Sequence, residues 1–440
     1  MITRSYETRL VSQLKKNPRN VRTHSEKQLR LLAKNIADVG LLNSIIIDET
    51  NTILCGHARV DVCAKVCIIE VPVVVIKGLT DRQKRTILLS DNKLPELAGY
   101  DRKKLALELK DLHVEFALAG IDFDLIGFET AEIDTLFGDL LDPEHDPADA
   151  IPQIAKHPTN RKGDLWTLGN HRFLCGDARQ AADARKLMGD DLASMMFTDP
   201  PYNLRIASVQ GRGKTQHREF VAASGEMSRK EFIKFLIVCL SNTAKHSKDG
   251  SIQFVCIDWR HIWEMMVASK AVYSEFKNLV VWNKTNAGMG SLYRSQHELI
   301  FVFKNRGGPH QNNIELGRHG RNRSNVWNYP GVNTFRTGRM DDLAVHPTVK
   351  PVALVADAMR DCSRRGDIIL DPFIGSGTTI LAAERVGRRA FGIEIDPLYV
   401  DCAIERWQSF SKSDAILTTT GQTFEEVSAI RSRKAKGAAK

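Results

Sequence analysis

At 440 residues the chain exceeds what one hydrophobic core ordinarily serves, so two domains are expected. Apolar residues make up 42% and charged residues 26%, which excludes a disordered polar chain. No apolar run approaches the roughly 18–20 residues that span a bilayer, and the first residues show no apolar leader. A formal charge of +9 hints at an acidic partner without naming one.

Residues 1 to about 95 alternate between strand and helix patterns. Ser25 is placed to cap a helix running to Val39, with Leu29, Leu32, Ala33 and Ile36 on one face and Gly40 as its stop. Ile45–Ile47, Thr52–Cys55 and Pro72–Ile76 read as buried strands. From Arg102 to about Leu141 the pattern is helical, with breaks near Gly120 and Gly127. Asp142–Pro152 carries three prolines and four acids, the composition of a solvated linker, and the domain boundary is placed there.

Beyond the linker, strands are expected at Leu192–Phe197, Ile252–Ile257, Asn278–Trp282, Glu298–Phe303, Asp367–Leu370 and Ala390–Ile395, with a helix over Thr378–Val386. Strand, loop and helix in alternation predict an α/β fold built on a doubly wound sheet. The eight cysteines are scattered, with Cys63 and Cys67 the one close pair. Free thiols are expected, and no zinc site. Basic residues gather at 304–339, where Arg306, Arg318, Arg321, Arg323 and Arg336 face the single acid Glu315. The C-terminus is also basic, and such a tail is read as a nonspecific phosphate contact.

Two motifs carry chemistry. Asp199-Pro200-Pro201-Tyr202 follows an apolar strand. Alone it could be a proline turn, but the carboxyl end of a strand in an open α/β sheet is where ligands bind. Asp371-Pro372-Phe373-Ile374-Gly375-Ser376-Gly377-Thr378 links a strand to a helix, and its glycines let the backbone approach a ligand closely. Glu394 ends the next strand, 23 residues after Asp371, where an acid commonly holds a ribose diol. Together these imply a nucleoside-like ligand.

The two motifs, in this order, resemble the permuted β group of amino-methyltransferases that act on DNA at adenine N6 or cytosine N4. Gly163–Asp177, Trp282–Lys284, Tyr293–Glu298 and His346-Pro347-Thr348-Val349-Lys350-Pro351 resemble further segments of that family, and the resemblance covers about residues 160–412. It implies a Rossmann-like sheet binding S-adenosylmethionine. The methyl donor is a sulfonium, so no metal is required. Asp199 and the Pro200 carbonyl would accept from the target amine, Pro201 would hold the turn, and Tyr202 would stack on a base rotated out of the duplex. Cofactor contacts are expected from Asp177, Asp371, Phe373, Gly375, Gly377, Thr378, Glu394 and Lys350. Asp199, rather than the serine frequent in cytosine-N4 enzymes, favours adenine. The rivals are a cytosine-N4 enzyme, a ParB-like DNA-binding protein with an inert methyltransferase half, and an RNA or protein methyltransferase sharing the catalytic motif.

Asn17–Asn20, Leu42–Ile47 and Gly56-His57-Ala58-Arg59 resemble the ParB-like domain. For Gly56 and Arg59 two readings stand: docking of DNA or protein, or a nucleotide phosphate at the helix N-terminus. His57 could equally be an ordinary surface or core histidine. The expected organisation is a smaller α+β ParB-like domain at 1–100, a helical extension at 101–141, a linker at 142–160, a methyltransferase domain at 161–425 and a basic tail at 426–440. Double-stranded DNA is the expected partner, read through 203–225 and 304–345, with Arg205, Arg212, Lys214, Arg318, Arg321 and Arg323 as candidate contacts. A homodimer, a cytoplasmic setting in a bacterium or phage, and a restriction-modification role are further expectations of the resemblance.

Overall fold

The computed structural model describes residues 1–119, 123–138, 146–150, 152, 155, 157–204, 223–284, 287, 292–315, 323–331 and 350–438. It divides into two units, Met1–Leu140 and Leu141–Lys440.

The first unit is built on a four-stranded sheet. In chain order its strands are β1 (Thr3–Leu10), β2 (Ile45–Asp48), β3 (Ile53–Cys55) and β4 (Glu70–Lys77); across the sheet they run β1-β4-β2-β3. Its helices are α1 (Glu26–Val39), α2 (His57–Lys65), α3 (Asp81–Lys93), α4 (Arg102–Ala119) and α5 (Thr130–Gly138). Ser25 caps α1 by accepting from the Gln28 amide, and Gly40 ends the helix at positive φ. Ile36, Ile45, Ile47, Ile53, Val60 and Val73 form the core. β1 was not anticipated. Its sequence, Thr-Arg-Ser-Tyr-Glu-Thr-Arg-Leu, has no buried residue, and only its antiparallel pairing with β4 holds it as a strand. α4 and α5 pack on each other through Ala106, Leu109, Ile133 and Leu136.

The second unit is organised around an eleven-stranded sheet. Its strands are β5 (Leu165–Leu168), β6 (His171–Cys175), β7 (Ala193–Thr198), β8 (Ser247–Ile257), β9 (Glu275–Asn283), β10 (His297–Lys304), β11 (Val326–Asn328), β12 (Ile368–Asp371), β13 (Arg389–Glu394), β14 (Ile416–Leu417) and β15 (Gln422–Thr423). Across the sheet they run β11-β9-β10-β8-β7-β12-β13-β6-β5-β14-β15. The central five, β8-β7-β12-β13-β6, are mutually parallel, as the alternating pattern predicted. β10 runs antiparallel to both neighbours, and β5 antiparallel to β6, so the sheet is mixed. The helices are α6 (Ala181–Met188), α7 (Arg229–Lys245), α8 (Ile262–Val272), α9 (Val352–Cys362), α10 (Thr378–Val386), α11 (Pro397–Ser411) and α12 (Phe424–Ala438).

Both faces of the sheet are covered, which is why the central strands read as unbroken apolar runs. In β7, Met195 and Phe197 enter one core with Phe254, Ile380 and Trp407, while Met196 between them enters the other with Phe232, Val255 and Phe301.

Two readings of the sequence need correction. The stretch expected to be a solvated linker is partly packed: Asp146 and Ala148 are 8% and 6% exposed, in a short turn that ends at Asp149. A polar, proline-rich composition describes a segment's local preference, and here Arg385 pairs with Asp146 while Asp149 accepts from the Val352 amide. The basic tail likewise begins as a helix, α12, and Arg431 pairs with Asp164 rather than with solvent.

Candidate active site

The parallel strands bring the acids together. Asp199 follows β7, Asp371 ends β12, Glu394 ends β13, and Asp177 lies two residues beyond β6. These four strands are neighbours in the order β7-β12-β13-β6, so four carboxylates separated by up to 217 residues line one edge of the sheet. That edge, at the carboxyl ends of the strands, is where open α/β sheets bind ligands.

The glycine loop between β12 and α10 forms the floor. Gly375 and Gly377 both adopt positive φ. At Gly377 φ is +86°, and a Cβ there would come within 2.9 Å of the Ala403 Cβ, so only glycine fits. One Glu394 carboxylate oxygen accepts from the Gly375 amide at 3.0 Å and the other from the Asp396 amide at 2.8 Å. Burial pushes Glu394 up to about 7. Asp396 itself caps α11 by accepting from the Leu398 amide, which makes it a structural residue.

Asp371 is a staple. It accepts from the Thr198 hydroxyl at 2.8 Å, the Thr379 hydroxyl at 2.6 Å and the Phe373 amide at 3.1 Å. It thereby ties the last residue of β7 to the loop and to the first turn of α10. Burial raises its carboxyl to about 6 against these hydrogen bonds. The Phe373 ring rests against Phe235, 5.9 Å between centroids, in the core that Tyr202 also joins. Asp177 holds Arg179 in a two-pronged pair at 2.7–3.0 Å; burial alone would raise this carboxyl, but the guanidinium holds it below the usual range. Thr378, buried at the head of α10, accepts from Arg406.

At Asp199-Pro200-Pro201-Tyr202 the acid is enclosed. One oxygen accepts from the Tyr202 hydroxyl at 2.5 Å, and the other from Lys350 Nζ at 2.5 Å. Lys350 also contacts Glu298 at 2.9 Å, and Glu298 contacts Lys284 at 2.5 Å. Asp199, Lys350, Glu298 and Lys284 thus alternate in charge and sum to zero, with both ammonium groups near the Trp282 ring. Burial alone would lower Lys350, yet the two carboxylates hold it well above the ordinary lysine range. Burial alone would raise Glu298, yet the two lysines bring it down to about 2. Burial and the nearby Glu298 push Asp199 up, and Lys350 opposes them. Asn203, at φ +53°, closes the turn. Its side chain accepts from the Gly225 and Met227 amides and donates to the Met227 carbonyl, joining the two ends of segment 203–227.

The expected site residues therefore fall as follows. Asp199 to Tyr202, Asp371, Phe373, Gly375, Gly377, Thr378, Glu394 and Asp177 share one strand edge. Lys350, expected at the cofactor, contacts the Asp199 carboxylate, and that acid and Glu298 together compensate its buried ammonium. Arg323, expected to reach DNA, is turned inward: it pairs with Asp361 at 2.8 Å and Asp357 at 3.2 Å and lies over the Trp327 ring. Arg205, Arg212, Lys214, Arg318 and Arg321 lie outside the described residues. Glu298 and Lys284 were not assigned a role from sequence. Their signal was a carboxylate opening the apolar run Leu299–Phe303 and a lysine ending the strand of Trp282. In the first unit, Asn17–Asn20, Asn43–Ser44 and Gly56–Arg59 converge. Arg59 donates to the Asn43 and Ser44 carbonyls at 2.8 and 3.3 Å, and His57 Nε2 accepts from the Asn17 amide at 3.3 Å.

Residues 193–405, which hold Asp199, Asp371 and Glu394 of this edge, match the DNA methylase family of N6 and N4 enzymes. This segment is an N6/N4 DNA methylase domain. Residues 103–162 match the helix-turn-helix domain of ParB-methyltransferase proteins. The chain is similar to the type II methyltransferase M.HpaI of Haemophilus parainfluenzae, 26% identical over 265 residues, which cover 56% of this chain and 77% of that protein. It is also similar to the type II methyltransferase M2.DpnII of Streptococcus pneumoniae, 26% identical over 239 residues, 52% of this chain and 87% of that protein. Among solved structures, the cytosine-N4-specific PvuII DNA methyltransferase aligns at 15% identity with a TM-score of 0.43, over 64% of this chain and 96% of that one. No helix of the methylase, among the described residues, is long and apolar enough to cross a membrane.

Proposed function

We propose that the methylase transfers the methyl group of S-adenosylmethionine to N6 of adenine in double-stranded DNA. The observation that carries this reading is the Asp199 carboxylate, flanked by Tyr202 and set one strand away from the glycine loop. The cofactor fits the edge. Gly375 and Gly377 keep side chains off the loop at two positions, Glu394 offers a carboxylate to the hydroxyls of a nucleoside, and the row of acids suits a cationic donor. When bound, S-adenosylmethionine supplies an electrophilic methyl group.

The remaining work falls to side chains. An aromatic amine is a poor nucleophile because its lone pair is delocalised into the ring. Asp199 and the Pro200 carbonyl accept its two hydrogens and draw the nitrogen toward a tetrahedral shape. Each carboxylate oxygen offers about two lone-pair sites, so Asp199 retains acceptor capacity beside Tyr202 and Lys350. Lys350 keeps Asp199 ionised, which is the state that accepts. Holding the partners in line is worth up to roughly 7–11 kcal/mol in favourable cases. The first unit, with its helix-turn-helix module, is read as a docking module for DNA or protein.

Cytosine N4 is the second reading, since the family matched over residues 193–405 is that of both N6 and N4 enzymes. The test is to incubate the protein with S-adenosylmethionine and unmethylated DNA, digest, and weigh the nucleosides, with Asp199→Ala in parallel. N6-methyladenine from the wild type and none from Asp199→Ala is expected. N4-methylcytosine would overturn the choice of base, and no methylated base would overturn the reading.

A further inference from the structure

Arg406, on α11, is 3% exposed, and its five hydrogen bonds among the described residues all go to uncharged oxygens. Nη2 and Nε reach the Ala148 carbonyl at 2.7 and 3.2 Å. Nη1 reaches the Ser376 carbonyl at 3.1 Å, the Ser376 hydroxyl at 3.3 Å and the Thr378 hydroxyl at 3.2 Å. The guanidinium thus lies between the glycine loop and the connector. The connector is strapped down on both sides. Asp146 makes a two-pronged ion pair with Arg385 on α10, and the Asp149 carboxylate accepts from the Val352 amide at the head of α9 at 2.9 Å.

A loop with glycine on both sides of Ser376 has few side-chain anchors of its own, and its backbone must be held from outside. Glu394 holds the Gly375 amide on one side. Arg406 holds the Ser376 carbonyl on the other. A charge buried at such cost, against neutral acceptors, is more than packing requires, since an apolar residue of similar volume would fill the space.

We infer that Arg406 is a positioning residue for the cofactor loop, and that the connector turn Asp146–Asp149 is part of that support rather than a passive link. This rests on the proposed binding of S-adenosylmethionine at the loop. Arg406 needs both faces: if the strap loosens, the Ala148 carbonyl moves and the guanidinium loses the acceptor that fixes its aim at Ser376.

The test is calorimetric titration of the full-length chain with S-adenosylmethionine, for wild type, Arg406→Lys and Asp146→Asn, well below each protein's unfolding temperature. Losing aim on one charge-assisted hydrogen bond corresponds to about tenfold weaker binding for Arg406→Lys and about threefold to fivefold for Asp146→Asn. The KM for the cofactor rises correspondingly while the KM for DNA does not, a split that a merely structural role would not produce. If Arg406→Lys fails to fold, Asp146→Asn carries the test, because it lies in the connector and leaves the loop's own contacts intact. Wild-type affinity in a folded Asp146→Asn would overturn the inference. A wild-type chain that binds no S-adenosylmethionine would instead overturn the assignment of the cofactor, and this inference with it.

Discussion

Replacing Lys350 by methionine removes one charge from a row of four and leaves the stem's volume nearly unchanged. In the wild type its ammonium is 2.5 Å from Asp199 and 2.9 Å from Glu298. Glu298 keeps Lys284 at 2.5 Å, so the acid left without a cation is Asp199. Breaking a buried ion pair on one side costs about 3–5 kcal/mol. The Asp199 side chain is 23% exposed, which places the loss near the lower end, about 3 kcal/mol. For a unit of this size that corresponds to a fall in melting temperature of about 5 °C. Intrinsic tryptophan fluorescence reads this unit alone, because all six tryptophans lie beyond residue 141. The sign of the pH dependence is also determined. Without Lys350, Asp199 titrates in the folded variant still further above its unfolded value. The variant therefore loses stability as pH rises from the ordinary carboxylate range through the raised folded pKa of Asp199, and the deficit against wild type is smallest at acid pH, where that carboxyl is protonated. With ionised Asp199 as the proposed acceptor for the target amine, the acid limb of the pH–rate profile is expected to move to higher pH. Melting temperatures and pH–rate profiles indistinguishable from wild type would refute the account of Lys350 as the group that keeps Asp199 charged.

Two further predictions concern the cofactor edge. Glu394 is raised by burial to about 7, so the affinity for S-adenosylmethionine should rise with pH up to about 7 and level off above, and Glu394→Gln should flatten this dependence. The stability contribution runs the other way: a carboxyl with a raised folded pKa is most favourable below the ordinary carboxylate range and loses stability as pH rises toward about 7. Gly377→Ala forces a side chain to φ +86° with its Cβ 2.9 Å from that of Ala403. It should cost about 1–3 kcal/mol by thermal melting and weaken cofactor binding in a titration, and normal values for both would show that the loop has room to relax.

Much of the site was legible in the chain because it depends on short-range constraints. The glycine loop needs residues without side chains at particular backbone angles, and Asp199 to Tyr202 needs an acid and prolines at the end of an apolar strand. Such requirements leave a local trace. The central strands were legible for a related reason, since burial on both faces demands continuous apolar runs. β1 left no such trace, because an exposed edge strand is defined by its partner's hydrogen bonds rather than by its own composition. The same holds for the connector and the tail. Asp146 and Arg431 look solvated in sequence, and become structural only when Arg385 and Asp164 meet them from 239 and 267 positions away.

Lys350, Glu298 and Arg406 show the division most sharply. Their residue types were in plain view, but charge by itself does not say what it faces. Whether a lysine stands free or neutralises a buried carboxylate depends on which strand ends the sheet order sets side by side. That order follows from long-range pairing, in which β12 inserts beside β7 after an excursion of some 170 residues. The sequence by itself determined the chemistry available, namely the acids, the glycines and the apolar strands. The tertiary structure decided which of those groups meet, because electrostatic partnership falls off over a few ångströms while the chain that separates the partners can be of any length.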